Sequence, residues 1–458
     1  MTNGAQVSYA LWFAGVTWRG QNRFNIMFMR QDDETQRTQQ LADLLNNLTR
    51  FRATDLRDKV YGLIHLPAFR REYPEITPDY RLSPGAIYVD LAFHILDKSR
   101  DLLLLTMVTR DEEKINDQDP NLGPMVRLPS WVPRWHSTDN TRNVSTSYYQ
   151  LMSASGTSEK AKAMHCVKLL APLDHPPDVG ESKMVPSPKT ILSIRGFEFD
   201  VVHDVSEVEF WGHRLPDRPR IPLFRTRTGP WAPYQPRKAD DRQASPPAPD
   251  ITPPVNASWH LLADNCPYAT EPEVVAAYAL TLTSGCRADN GIFPIRCTTS
   301  TVGHHLGDFV AFLTWVRSLR RAADGETNTE YGHNVPPGDF YPPGLYAADR
   351  PTLTDADADE TADMSLRYSI MACHYSMNRC FYRTRRGYLA MGPNDLQQGD
   401  VVCVLMGGAV PFILRPRGDG DGYTLIGDSY VHGIMDGELV QAWEEAAGDF
   451  AHREFRIH

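Results

Sequence analysis

The chain has 458 residues, 41% of them hydrophobic and 23% charged, enough apolar mass for a sizeable core and more length than one core usually serves. Its 47 Lys+Arg against 57 Asp+Glu leave a net charge of −10. That excludes a global nucleic-acid footprint, which needs concentrated basic charge. The seven cysteines form no Cys-x-x-Cys pair, so no zinc site or other metal centre is expected. Their odd number fits reduced thiols in an intracellular compartment. The N-terminus lacks a basic region followed by a sustained apolar run, and no segment approaches membrane-spanning length. A soluble, cytoplasmic protein is the expectation.

Taken in chain order, residues 7–16 form an apolar patch that reads as a strand or buried segment. Leu41, Leu44, Leu45 and Leu48 recur at i, i+3, i+4 and i+7 and predict a helix with one apolar face. The run RATDLRDKVYGLIHL at 52–66 predicts a short helix with Thr54 or Asp55 as cap. Arg52, Asp55, Arg57 and Asp58 either pair with one another there or leave an anion site at the helix start. Ser83 caps the next helix, with Pro84 at its first position, where a missing N–H costs nothing. Ile87, Tyr88, Leu91, Ile95 and Leu96 form its buried stripe, and His94 sits at the rim. LLLLTMV at 102–108 reads as a buried strand.

In LPSWVPRW, Trp131 and Trp135 flank Pro133 and cannot share an ordinary helix interior. They read as an extended segment anchored over a core, or as an aromatic platform for a substrate. Residues 191–208 alternate as one or two strands. Between 216 and 254, proline with Ser, Asp and Gln precludes a core and predicts a loop or linker. Helices are expected at 271–286, ended by Gly285, and at 305–325. Residues 355–360 form an acidic loop without the Gly and Glu of a calcium loop. Cys373 and Cys380, seven apart, fall on one helix face, with a strand beginning near Cys380. The expected divisions are a helical or mixed region at 1–137, a mixed β-rich region at 138–214, a linker at 215–256, a helical region at 257–385 and a β-meander at 386–458.

GDVVCVL, AVPFILRP and GYTLIGDSYV then read as three successive antiparallel strands joined at Gly407-Gly408 and 418–422. The fold class expected is α+β, a helical core with a small C-terminal antiparallel sheet or barrel. Behind the third strand, Tyr430, His432, Asp436 and Glu438 form a candidate acid/base set, with His432 titrating near neutrality. Arg415, with Trp131 and Trp135, is the candidate substrate-binding group, since its guanidinium grips a carboxylate or carbonyl through two donors. The structural alternative is that Asp428, Asp436 and Glu438 bind turn amides while Tyr430 and His432 pin a corner of the sheet. Cys403 reads as core filler. With no P-loop, GxGxxG, GxSxG or HExxH segment, no cofactor is expected.

RATDLRDKVYGLIHL, PDYRLSPGAIYVDLAFHIL and LPSWVPRW, with RRGYLAMGPNDLQQGDVVCVLMGGAVPFILRP and GDSYVHGIMDGE, resemble the body and C-terminal region of fungal heterokaryon incompatibility (HET) domain proteins. The resemblance covers roughly 40–137 and 271–438. In that family a TIR-like head precedes the Arg-Ala-Thr-Asp run and carries Tyr-x-x-Leu-Ser-Tyr-x-Trp-Gly and Trp-Ile-Asp-x-x-Cys-Ile-Asn-Gln. Neither segment is found here; VSYALWF at 7–13 is a degenerate echo of the first. The resemblance therefore implies a HET-like protein of self/non-self recognition or regulation, without head-borne NAD cleavage. Its partner would be a HET-domain protein or another protein, with no nucleic acid or membrane involved. The alternative is a cofactor-independent cyclase or isomerase of fungal secondary metabolism acting on a small molecule.

Overall fold

A computed structural model describes residues 53–64, 67–99, 101–108, 128–135, 151–170, 190–206, 267–268, 271–288, 294–323, 363–365, 367–369, 371–372, 375–376, 379–418, 420, 422–445 and 452–458. The readings at 7–16, 41–48, 216–254 and 355–360 lie outside the described residues. One compact unit draws its described residues from 206–391, the other from 22–205 and 392–458. The strands, in chain order, are β1 Val167–Leu170, β2 Ile191–Val205, β3 Cys286–Ala288, β4 Pro294–Arg296, β5 Arg379–Thr384, β6 Leu389–Pro393, β7 Val401–Leu405, β8 Phe412–Pro416, β9 Tyr423–Asp428, β10 Tyr430–Val431 and β11 His452–Ile457. Nine of them join one mixed sheet, which overturns the expected helical core with a small sheet. The expectation failed because β2 and β11 lie far from the C-terminal meander in sequence or beyond its last recognised motif, and their alternation does not say that they pair with it.

In the unit that holds 53–205, the first helices lock onto the connector that follows. Arg57 donates from Nε and Nη2 to the Asp55 carboxylate at 2.9 and 2.7 Å. Its other terminal nitrogen donates to the Tyr80 carbonyl, and the guanidinium lies 5.1 Å from the Tyr80 ring centre. Tyr80 donates its hydroxyl to Asp58 at 2.7 Å, and the Tyr61 hydroxyl accepts from the Asp79 N–H at 2.9 Å. Of the expected pairings at this helix start, Arg57 with Asp55 is present, Asp58 takes the Tyr80 hydroxyl instead, and Arg52 lies outside the described residues; the cap position is Arg57 and not Thr54 or Asp55. The hydrogen bonds from Arg57 hold the Asp55 carboxyl below its usual range. Helix Pro84–Ser99 starts as its residues predict: the Ala86 N–H donates to Ser83 Oγ at 3.2 Å, and Ile87, Tyr88, Leu91, Ile95 and Leu96 are buried. His94 stays at the rim beside Glu75.

The apolar run after it is a 3-10 turn, Leu103–Met107, and not a strand. Leu103 N–H donates to Asp101 Oδ1 at 3.0 Å and Thr106 donates to the Leu103 carbonyl at 2.6 Å. Local bonds satisfy the backbone, so burial needs no lateral partner; an unbroken apolar run does not distinguish the two states.

A barrel follows from the pairings of the same unit. β7, β8 and β9 form an antiparallel meander. β11 runs parallel to β9 at Ile457↔Tyr423 and antiparallel to β2 over six pairs. β2 then pairs antiparallel with β7, from Gly196↔Leu405 to Val201↔Val401, and the ring β2-β11-β9-β8-β7 is closed. Directly opposed residues share a face, so Leu192, Ile194, Phe455, Ile457, Leu414 and Leu425 line the inside, all buried. Burying each such side chain contributes roughly 1.5–3 kcal/mol. On the outer face, Phe197 is covered by Trp443 of helix Glu438–Glu444, ring centres 5.4 Å apart. Where β2 crosses to β7, a Cβ on Gly196 would sit 2.6 Å from the Val404 carbonyl oxygen. Only glycine permits that approach.

The other unit holds helices Glu271–Leu282 and Val302–Ala323 and the β3–β4 hairpin. Cys380 lies in β5 and not in a helix, the strand Arg379–Thr384 having already begun there, and Cys373 lies outside the described residues. Buried between the helices, His305 Nε2 is 3.1 Å from Thr283 Oγ1, and its ring packs 5.2 Å from Tyr368. Tyr368 donates its hydroxyl to the Ala279 carbonyl at 2.8 Å, and Arg367 forks onto Asp308 at 3.1 and 2.6 Å. Burial lowers the His305 pKa from 6.5 to about 4. The unfolded chain therefore binds a proton that the folded one refuses between these values. Stability from this site is complete above pH 6.5 and falls as pH drops toward 4, by about 3 kcal/mol. Urea midpoints of wild type should decline over that window more steeply than those of His305→Gln; equal slopes would show that another group governs acid lability. Among the described residues no helix is long and apolar enough to cross a membrane.

Candidate functional site

The predicted acid/base set lies where β9 ends. Tyr430 is buried in β10, and its hydroxyl is 3.0 Å from Nδ1 of half-buried His432. Asp436 and Glu438 are exposed; the Glu438 carboxylate accepts the Asp436 N–H at 2.8 Å and so closes the turn ahead of its own helix. Asp428 is buried at the last position of β9, opposite Phe412. The corner is held from outside by the 151–156 segment, where the Ser153 N–H donates to the Met435 carbonyl at 2.9 Å. Gly437 takes φ +92°, and a Cβ there would be 2.9 Å from Gly156 Cα, so two backbones touch with no side chain between them. The fold thus brings Tyr430 to His432 and Asp436 to Glu438. A tyrosine hydroxyl against an imidazole can pass a proton; a glutamate on a turn amide is structural chemistry.

The predicted binding groups are committed to the protein itself. Arg415 donates from Nε and Nη2 to the two carboxylate oxygens of Asp400 at 2.8 and 3.1 Å, and from Nη2 to the Asp395 carbonyl at 2.6 Å. The Arg415 side chain is 20% exposed and that of Asp400 2%. Trp131 is buried and its Nε1 donates to the Thr190 carbonyl at 2.8 Å, directly ahead of β2. Trp135 is buried edge-on against Tyr88, centres 5.2 Å apart, and its Nε1 meets no acceptor among the described residues. Between the tryptophans and the barrel stands Ser130. It donates to the His458 carbonyl through both N–H and Oγ, and its Oγ accepts the Leu425 N–H at 2.9 Å. The LPSW segment therefore fills the seam between β9 and β11, whose own ladder is a single residue pair.

A second polar group was not singled out from the sequence. Glu198 opposes Cys403 and Arg453 opposes Gly196, which places Glu198, Cys403 and Arg453 on the inner face with Phe455. Tyr423 joins them from β9: Arg453 Nη2 donates to its hydroxyl at 2.6 Å. Arg453 also pairs with Glu198 and lies 5.5 and 4.7 Å from the ring centres of Tyr423 and Phe455. Glu198 and Arg453 are 44% and 42% exposed, so they stand at a mouth of the barrel. Cys403 below them is fully buried; its thiol donates to the Phe412 carbonyl at 3.4 Å, and burial pushes its pKa up. It is core, as its apolar neighbours in sequence imply. Burial also raises the Tyr423 pKa, with Arg453 opposing. The alternation of Arg453, Phe455 and Ile457 is a readable strand signal; the register that sets Arg453 beside Glu198 is not.

Residues 350–450 match the Het-6 beta-barrel domain family. Over 420 residues, 88% of this chain and 52% of the relative, the sequence is 26% identical to heterokaryon incompatibility protein 6, OR allele, of Neurospora crassa. The chain thus spans about half the length of that curated relative. No solved structure matches. The matched segment contains β7, β8 and β9, but two of the five barrel strands, β2 and β11, fall outside it.

Proposed function

We propose that this chain, a fungal protein of the heterokaryon incompatibility family with a Het-6 barrel, works in self/non-self recognition or its regulation through contacts with other proteins. The observation that carries the reading is the similarity to heterokaryon incompatibility protein 6, which extends over 88% of the chain and not over the barrel alone. The fate of the predicted binding groups supports it. Arg415 holds Asp400, and Trp131 holds the backbone ahead of β2, so both stiffen a scaffold. The partner proposed is a HET-domain protein or another protein of the same response.

The test is expression of the chain in fungal strains that differ at incompatibility loci, followed by pairwise fusion. Growth arrest or sparse transformants in some backgrounds, with affinity capture of a specific partner from those backgrounds only, is the expected result. Equal growth in every pairing, with no background-specific partner, overturns the reading.

One observation favours a second reading. The Tyr430–His432 pair at 3.0 Å is an acid/base couple, enough for a cofactor-independent cyclisation or isomerisation of a small fungal metabolite. In a reconstituted pathway, His432→Ala should then lower turnover by about 100-fold, the usual scale of a lost general acid or base. Full activity in that variant removes the pair from consideration.

A further inference from the structure

The inner wall of the barrel is apolar at Leu192, Ile194, Leu414, Leu425 and Ile457, and polar at one mouth. At that mouth the guanidinium of Arg453 has contacts besides Glu198. The rings of Tyr423 and Phe455 lie 5.5 and 4.7 Å from it, and the Tyr423 hydroxyl accepts one of its N–H bonds at 2.6 Å. A cation held over two aromatic rings keeps its fork orientation when its counter-ion leaves. Glu198, by contrast, is a resident counter-ion that solvent reaches, and an ion pair at such exposure is weak. Arg453 therefore combines a fixed donor fork with an exchangeable carboxylate.

We infer that this mouth is a binding site for an oxyanion, a carboxylate or a phosphate, which takes the place of Glu198 on Arg453 while the Tyr423 hydroxyl supplies the second contact. The ligand's charged end would face Arg453 at the solvent-exposed rim of the barrel. Glu198 then acts as an internal mimic of the ligand, keeping the guanidinium neutralised until an anion of higher affinity arrives. The site stands apart from the recognition reading above and from the Tyr430–His432 pair.

The test uses the full chain with arginine labelled for NMR, following the Arg453 Nε–H resonance during titration with inorganic phosphate and, separately, acetate, against sodium chloride at matched ionic strength. Wild type should show a saturable shift with one of the two oxyanions. Glu198→Gln should lower the half-saturating concentration about fivefold, the displacement of a weak exposed pair. Arg453→Met should abolish saturation in a second reporter, the Tyr423 ring resonances, and Tyr423→Phe should weaken binding. Stronger response to acetate assigns a carboxylate ligand, and stronger response to phosphate a phosphate. A shift that chloride reproduces, or none in either wild type or Glu198→Gln, overturns the inference. If Glu198→Gln does not fold, the wild-type titration and its loss in Arg453→Met decide alone.

Discussion

Gly196→Val is expected to open the barrel and lower the melting temperature of its unit by roughly 6–12 °C, from a loss of about 3 kcal/mol. Two effects of opposite sign meet at this position. Valine suits a strand better than glycine, by at most about 1 kcal/mol, and glycine loses more backbone entropy on folding. Against that, the new Cβ lies 2.6 Å from the Val404 carbonyl oxygen and 3.0 Å from Leu405 Cδ2. The first neighbour is backbone, in a ladder that itself closes the ring, and cannot turn aside as a side chain would. The steric term wins. Thermal unfolding by near-ultraviolet circular dichroism, to which Trp131, Trp135 and Trp443 of this unit contribute, measures it. A variant as stable as wild type would mean that β2 and β7 can separate without cost, and the closed ring would not be the source of stability.

Arg415→Ala should cost about 3–5 kcal/mol, the range found when one partner of a buried ion pair is removed. The charge left behind is on Asp400, nearly inaccessible to water; Asp400 would retain the Gln397 N–H, 2.9 Å from Oδ2, but no cation. The same substitution also removes the hydrogen bond from Arg415 to the Asp395 carbonyl in the turn ahead of β7. Pairing Arg415→Met with Asp400→Asn should recover most of the loss, because removing both charges removes the desolvation problem. Denaturant midpoints of the two single variants and the double variant separate this from a ligand-binding arginine. Were Arg415 a substrate group, Arg415→Ala would spare stability and strike function alone.

Much of the local structure was legible because it is written in adjacent residues. The Ser83-Pro84 helix start, the helix over 302–323 and the three-strand meander follow from caps and alternation within single windows. The hydrophobic run at 102–108 misled for a local reason: five buried residues look alike in a strand and in a 3-10 turn, and here Asp101 takes the Leu103 N–H at the start of the turn. The architecture was hidden for a non-local one. β2 shows its alternation plainly, but nothing in 191–205 says that its partners are β7 and β11 rather than a neighbour. The same holds for the sites. Tyr430 and His432 are two apart, and their meeting could be foreseen; Glu198 and Arg453 are brought together by register alone. Arg415 reads in the sequence as a bidentate substrate group; the two-donor contact it makes is with Asp400, inside the chain.

Ring closure by β2 also has a consequence in time. During synthesis β2 leaves the ribosome roughly 200 residues ahead of β7, which at typical elongation rates is a wait of about 10–40 s. Through that interval its apolar edges have no barrel to enter, and unpaired edges are where nascent chains aggregate. β1 is already made by then. It pairs with Ile191–Ile194 on the edge that runs on to β7, and so covers the first third of β2 while the rest waits. Four residues that look dispensable in the finished barrel thus serve as a guard for the strand on which its closure depends.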